Sequence, residues 1–158
     1  MLNEQLSVRP LHESDLEAVL AIERASYQQP WTLEQFKQEL KNPVSLIAGC
    51  QIDNRLAGYI CYWLVAGEMQ ILNLATAPRF RRRGVAKKLL EYSFALCEAR
   101  GVVAAWLEVR AGNLAAQDLY RQCGFEIDGC RRAYYQDGED ALLMVRKFAS
   151  EPFQESGE

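Results

Sequence analysis

Apolar residues recur along this chain with two periods, and the change of period divides it into elements. Leu16, Val19, Leu20 and Ile22 fall on one side of a helix, with Ser14 at the place of its N-cap. The next helix has a sharper start. Thr32 and Gln35 have the spacing of a capping box, Trp31 and Phe36 that of a hydrophobic staple, and Pro43 ends it. Strands are expected over the stretch closed by Val8-Arg9-Pro10 and over 44–52, 56–66 and 68–76, the middle pair forming a hairpin at Asp53-Asn54. A long helix comes next over 84–100, with Val85, Leu89, Tyr92 or Ser93, and Leu96 on its inner stripe and Gly101 as its stop. Residues 103–109 alternate as a strand, Asn113 caps a helix that Gly124 ends, and 125–135 with 141–148 form a final hairpin turning at Asp137-Gly138. The order is β, α, α, β, β, β, α, β, α, β, β, a mixed α/β domain whose central sheet is flanked by helices.

Composition narrows the class. At 158 residues, 49% apolar and 25% charged, the chain has the size and balance of one globular domain, expected to occupy 1–148. The net charge of −3 comes from Glu151, Glu155 and Glu158, so 149–158 reads as an acidic flexible tail on a neutral body. A neutral body lacks the broad basic footprint of a nucleic-acid binder. The start carries no apolar leader, and the longest run of low polarity, 57–67, is too short to span a bilayer, so no membrane role is expected. Five cysteines without a CxxC pair, and the single His12, argue against a metal site and for a reduced, cytoplasmic setting.

The most unusual window is 79–88. It holds Arg79, Arg81, Arg82, Arg83, Lys87 and Lys88 with no acid, around Gly84, where a strand gives way to a helix. A helix start exposes unpaired N–H groups at the positive end of the dipole, and glycine lets a phosphate approach the backbone. There is no P-loop and no GxG pair. Charge alone would also fit a solvated basic patch.

In the strand 103–110, Trp106, Glu108 and Arg110 face one way and Ala105, Leu107 and Val109 the other. A glutamate in so apolar a strand calls for an ion pair with a neighbouring strand or for a chemical use. Tyr120 follows Asn113 by two helical turns, so both side chains look toward that strand. Tyr120 also suits a core aromatic with a satisfied hydroxyl.

The pattern Arg81-x-x-Gly84-x-Ala86, after a strand and opening a long helix, resembles the pyrophosphate-binding segment of the GNAT superfamily of N-acetyltransferases. Trp-Leu-Glu-Val-Arg-Ala-x-Asn at 106–113, Leu119-Tyr120, Cys123-Gly124-Phe125, Pro30-Trp31-Thr32 and Arg131-Arg132-Ala133-Tyr134-Tyr135 resemble its branch of bacterial enzymes that acetylate the N-terminal alanine of a small-subunit ribosomal protein. The resemblance implies a sheet of about seven strands flanked by about four helices, with acetyl-CoA as co-substrate and no metal. It implies Glu108 as proton acceptor, Tyr120 as proton donor, and cofactor contacts from Leu74, Ala75, Thr76, Asn113 and the turn of Arg82, Arg83, Gly84, Val85, Ala86 and Lys87, with a backbone N–H near Ala75 polarising the thioester. The implied partner is the peptide N-terminus of a ribosomal protein, bound by a monomer without direct nucleic-acid contact. Thr76 stands where an aliphatic residue is common in that family, and Ala133 where asparagine occurs. A lysine or small-amine acceptor, a non-catalytic acyl-CoA-binding module and a nucleic-acid-binding domain using 79–88 are the competing readings.

Overall fold

A computed structural model describes residues 5–148; the segment 149–158, expected to be an acidic tail, lies outside them. In chain order the elements are β1 (Leu6–Pro10), α1 (Leu16–Ser26), α2 (Leu33–Lys41), β2 (Ser45–Ile52), β3 (Arg55–Val65), β4 (Glu68–Thr76), α3 (Val85–Ala99), β5 (Ala104–Arg110), α4 (Leu114–Gln122), β6 (Glu126–Arg131) and β7 (Ala141–Lys147). The seven strands form one sheet in the order β1-β2-β3-β4-β5-β7-β6. Only β4 and β5 run parallel. No helix among the described residues is long and apolar enough to cross a membrane.

Local chemistry explains most of the boundaries. Thr32 Oγ1 accepts from the Gln35 N–H at 3.2 Å and Gln35 Oε1 from the Thr32 N–H at 2.8 Å, while the Trp31 and Phe36 rings meet at 5.2 Å. That reciprocal cap and its staple fix the chain direction into α2. Asn113 Oδ1 accepts from the Ala116 N–H at 3.1 Å and starts α4 in the same way. Ser14 is not the cap of α1. It lies inside a 3-10 turn, Glu13–Asp15, and the residue at the junction is Asp15, whose carboxylate accepts from the His12 N–H at 2.8 Å and from Arg9 Nη2 and Nη1 at 2.9 and 3.0 Å. A charged acceptor holding a guanidinium and an amide outcompetes a neighbouring hydroxyl.

Two apolar layers sandwich the sheet. Leu16, Val19, Leu20 and Ile22 of α1 pack with Phe36 of α2 against Ile47, Tyr59, Cys61 and Ala75. On the other face Val85, Leu89, Leu90, Phe94 and Cys97 of α3, with Tyr120 of α4, cover Ile60, Tyr62, Met69, Ile71, Leu107, Val109 and Met144. The inner stripe of α3 uses buried Ser93 rather than Tyr92, and Leu96 is only half-buried because Phe94 and Cys97 take the core positions beside it.

The final hairpin differs from the expected one. β6 stops at Arg131, and 132–135 is loop rather than strand, while the tight turn at Asp137-Gly138 is present, its Gly138 N–H donating to the Tyr135 carbonyl at 2.9 Å. Ala133 sits in the left-handed region at φ +49°, which breaks the ladder and is a conformation asparagine adopts more readily than alanine. The loop is held by polar bonds to the end of β5 instead. Arg110 pairs with Asp137 and Glu139 at 2.9 Å each, Glu139 also accepts the Gly112 N–H at 2.7 Å, and the Ala111 N–H reaches the Asp140 carbonyl at 3.0 Å.

Two features of the sheet shape the region around β4. The strand carries a bulge, since the register against β3 passes from Cys61 with Asn73 to Tyr62 with Ile71, leaving Leu72 without a counterpart. Bulges bend the strand that carries them. Beyond it β4 parts from β5, and the parallel ladder covers only Glu68, Gln70 and the residue between them. Second, a Cβ on Gly58 of β3 would stand 2.7 Å from Val85 Cγ1 and 2.8 Å from the Ala75 carbonyl oxygen. Glycine there lets the first turn of α3 rest directly on β3 and β4.

Candidate active site

Where β4 and β5 part, the gap opens into a cleft of about 540 Å³. Its lining includes Asn73 and Leu74 of β4, Glu108 of β5, Asn113 and Tyr120 around α4, Tyr135 of the loop 132–140, and Glu23 and Tyr27 at the end of α1. Glu108 lies on the α1–α2 face of the sheet, whereas Tyr120 belongs to the α3–α4 layer. In a continuous sheet the two would be separated by backbone. The splay lets both look into one space.

Glu108 realises the ion pair that its place in an apolar strand suggests. Arg131 Nε lies 3.0 Å from Glu108 Oε2, and the same carboxylate faces the Tyr134 phenol. That acceptor is the first cause of a raised Tyr134 pKa. Burial pushes the Tyr120 phenol well above its ordinary value, with Tyr27 and Cys123 adding to the shift. Tyr120 therefore enters any reaction near neutral pH as O–H, a donor. Its ring packs edge-on against Phe125 at 5.7 Å.

The β4 edge has a definite polarity. The Tyr27 hydroxyl donates to the Leu74 carbonyl at 3.0 Å, so the Leu74 backbone faces the cleft. The Ala77 N–H donates to Ala57 of β3 at 2.7 Å. Alternation along a strand then turns the Thr76 backbone to the open edge and that of Ala75 to β3. Of the residues expected to hold a cofactor, Leu74 and Asn113 line the cleft. Thr76 ends β4, and a 3-10 turn, Pro78–Phe80, leads from it to the basic turn.

That turn is suited to an anion. Arg82 and Gly84 both have positive φ, +64° and +81°, and Gly84 is the N-cap of α3. The first helical bond runs from the Lys88 N–H to the Gly84 carbonyl, so the N–H groups of 84–87 have no partner within the helix. The side-chain position of Gly84 faces open space, with nothing within 4 Å. The first turn of α3 holds no acid, and the Arg79 and Arg83 guanidinium groups lie 5.1 and 5.6 Å from the centre of the Phe80 ring. Helix-start amides, a clear approach and positive charge at the dipole end fit the diphosphate of a coenzyme A thioester. Among the described residues no group of three His, Cys, Asp or Glu could hold a metal ion.

Glu23 carries no motif in the sequence, although it falls on the apolar stripe of α1 two turns after Leu16. It is 1% exposed. Its carboxylate accepts from neutral groups: the Trp31 N–H at 2.9 Å, the Asn73 amide at 3.1 and 3.3 Å, and the Tyr59 hydroxyl. One side chain thus ties α1, the segment before α2, β3 and the bulged part of β4 into the cleft wall. Glu23→Gln leaves one acceptor oxygen and turns an NH₂ toward existing donors. It is expected to lower stability by about 2 kcal/mol, read as a fall in Tm of about 5 °C.

Comparison with known proteins makes the chain an acetyl-CoA-dependent N-acetyltransferase, whose splayed parallel pair is followed by a basic turn at the start of α3. Residues 13–125 match the Acetyltransferase (GNAT) family, and the chain belongs to it. It is 39% identical over 141 residues to the ribosomal protein bS18-alanine N-acetyltransferase of Salmonella typhimurium, covering 85% of this chain and 93% of that one. The crystal structure of the ribosomal-protein-S18-alanine N-acetyltransferase from Escherichia coli superposes with a TM-score of 0.87 at 31% identity, over 95% of this chain and 98% of that one. Ard1 from Thermoplasma volcanium superposes with a TM-score of 0.84 at 26% identity, over 90% and 97%.

Proposed function

We propose that the chain acetylates the α-amine of a protein N-terminus, an alanine of a small-subunit ribosomal protein in the first instance, with Glu108 accepting the amine proton and Tyr120 donating to the departing sulfur. The observation that carries this reading is the convergence of those two side chains on one cleft at the parting of β4 and β5. The acceptor is chosen on the activity named for the similar enzymes of Salmonella typhimurium and Escherichia coli.

The amine must be neutral to attack. At pH 7 an α-amine of pKa about 7.8 is roughly 10–15% neutral, and a lysine of pKa about 10.4 only roughly 0.04%. An α-amine therefore asks much less than a lysine does of a single carboxylate acting directly or through one water. Acetyl-CoA, when bound, supplies an acetyl group already activated as a thioester. The amides of 82–87 hold its diphosphate, the cleftward backbone of Leu74 and Thr76 aligns its arm, and Asn113 flanks it. The carbonyl-polarising donor is assigned to the Leu74 N–H rather than to that of Ala75, which faces β3.

Tyr120 acts as a hydrogen-bond donor to developing thiolate charge. A thiol of pKa about 8.5 is a stronger acid than an ordinary phenol at about 10, so full transfer costs about 2 kcal/mol before burial raises the phenol further. Tyr120→Phe is expected to lower kcat at least about tenfold with little change in thermal stability, since only the oxygen is lost. Unchanged turnover would remove Tyr120 from the chemistry.

The acceptor is tested by mass spectrometry of peptides after incubation with isotope-labelled acetyl-CoA. Label is expected on the terminal amine of a free alanyl peptide and absent from a terminally blocked peptide containing lysine. Label on the lysine of the blocked peptide would move the reading to a side-chain acetyltransferase.

A further inference from the structure

We infer that Arg131 is a displaceable counter-ion which occupies the carboxylate of Glu108 until the acceptor's ammonium group takes its place. This rests on the reading of Glu108 as the base. The pair joins β6 to β5 across β7, with Arg131 Nε 3.0 Å from Glu108 Oε2, and its two members differ sharply in exposure. The Glu108 side chain is 21% exposed and fixed in the strand, whereas that of Arg131 is 59% exposed. Arg131 is therefore the member that can leave, and water can receive it.

Three observations favour exchange over a fixed strut. Arg131 is the last rung of the β6 ladder, and 132–140 beyond it is loop. Its guanidinium also lies 5.5 Å from the centre of the half-exposed Tyr134 ring, a contact that need not be lost when the carboxylate is released. It also lines a separate groove of about 370 Å³ with Glu68, Gln70, Trp63 and Trp106, which offers the displaced cation another carboxylate. The other charged or titratable groups around the cleft do not compete for Glu108 as cations. Arg110 is engaged with Asp137 and Glu139, and Tyr134, Tyr135, Tyr27, Tyr120 and Glu23 are neutral or anionic.

The chemistry requires a vacancy at this carboxylate. Most of a terminal amine of pKa about 7.8 arrives at pH 7 as a cation. While the guanidinium is paired with Glu108 Oε2, it neutralises the carboxylate's charge and occupies that oxygen, so an incoming ammonium must compete for both. Exchanging guanidinium for ammonium keeps one positive charge beside one negative charge throughout, and it delivers the proton-bearing nitrogen directly to Glu108. It also gives selectivity, because an acceptor without a positive terminus cannot displace Arg131. The acetylated product has lost that charge, so Arg131 can return and help expel it.

The test compares Arg131→Gln with the unaltered protein, using calorimetric affinity for a free alanyl peptide and for the same peptide acetylated at its terminus. An exposed ion pair is weak, so removing the competitor is expected to tighten the free-amine peptide by roughly threefold to fivefold, with its KM falling alongside and the acetylated peptide unchanged. Arg131→Lys keeps the competing charge and is expected to restore the original affinity. Equal affinities in Arg131→Gln, or weaker binding of both peptides, would overturn the exchange, the second result making Arg131 an ordinary peptide contact. Glu108→Gln measured in parallel separates the two claims: if it keeps full turnover the base assignment fails, whatever Arg131 does.

Discussion

Glu108→Gln is expected to lower kcat by about a thousandfold while leaving acetyl-CoA affinity within about twofold. The substitution preserves the shape of the side chain and removes its charge and its capacity to take a proton. Glu108 stands on the α1–α2 face of β5, and the proposed diphosphate contacts lie in the turn before α3, after the end of β4. Loss of the base should therefore reach the chemical step and not the binding of the thioester. The Arg131 pair disappears with the charge, but at 59% exposure for its arginine that pair is worth little to the fold, so the protein should remain folded with nearly its original Tm. Steady-state kinetics with calorimetry of coenzyme A checks both halves. A variant with full kcat would remove Glu108 from proton transfer.

Gly84→Asp is expected to weaken acetyl-CoA binding by at least about a hundredfold, roughly 3 kcal/mol, with a smaller effect on stability. Gly84 has φ +81°, and a Cβ there meets nothing within 4 Å, so no packing is lost by adding a side chain. Aspartate tolerates left-handed backbone better than most residues and is favoured at a helix N-cap. What it introduces is a carboxylate in the space a diphosphate needs, competing for the amides of 84–87 and repelling the ligand. Arg82, two residues earlier at φ +64°, already shows a non-glycine residue held in that region, so strain alone should not unfold the turn. Normal coenzyme A affinity would mean that the diphosphate binds elsewhere.

The sequence announces more of this fold than of its cleft, for a physical reason. Helix α2 is legible because its cap and staple are made by residues three and five apart, Thr32 with Gln35 and Trp31 with Phe36, so the information is local. The facing of β5 comes in the same way from the alternation of Leu107, Glu108 and Val109. The splay is not local. It arises from one bulged residue, Leu72, whose lack of a counterpart exists only once β3 is in register beside it. The donors around Glu23 come from β3, β4 and the chain before α2, and no spacing along the sequence announces them. A local trace is nonetheless present, an acid on the apolar stripe of α1, and Gly58 within a strand interior is a similar trace of the close approach by Val85. Local preference misleads at Ser14 and over 132–135, because longer-range polar partners override it: Arg9 for Asp15, and Arg110 for the loop 132–140.

The most direct test of the central claim is a crystal structure with a bisubstrate analogue that joins coenzyme A to the terminal nitrogen of an alanyl peptide. The diphosphate oxygens are expected within hydrogen-bonding distance of the amides of 82–87, with the joined nitrogen between Glu108 and Tyr120 and Arg131 turned away from the carboxylate. A diphosphate bound away from Gly84, or a nitrogen outside the gap between β4 and β5, would contradict it.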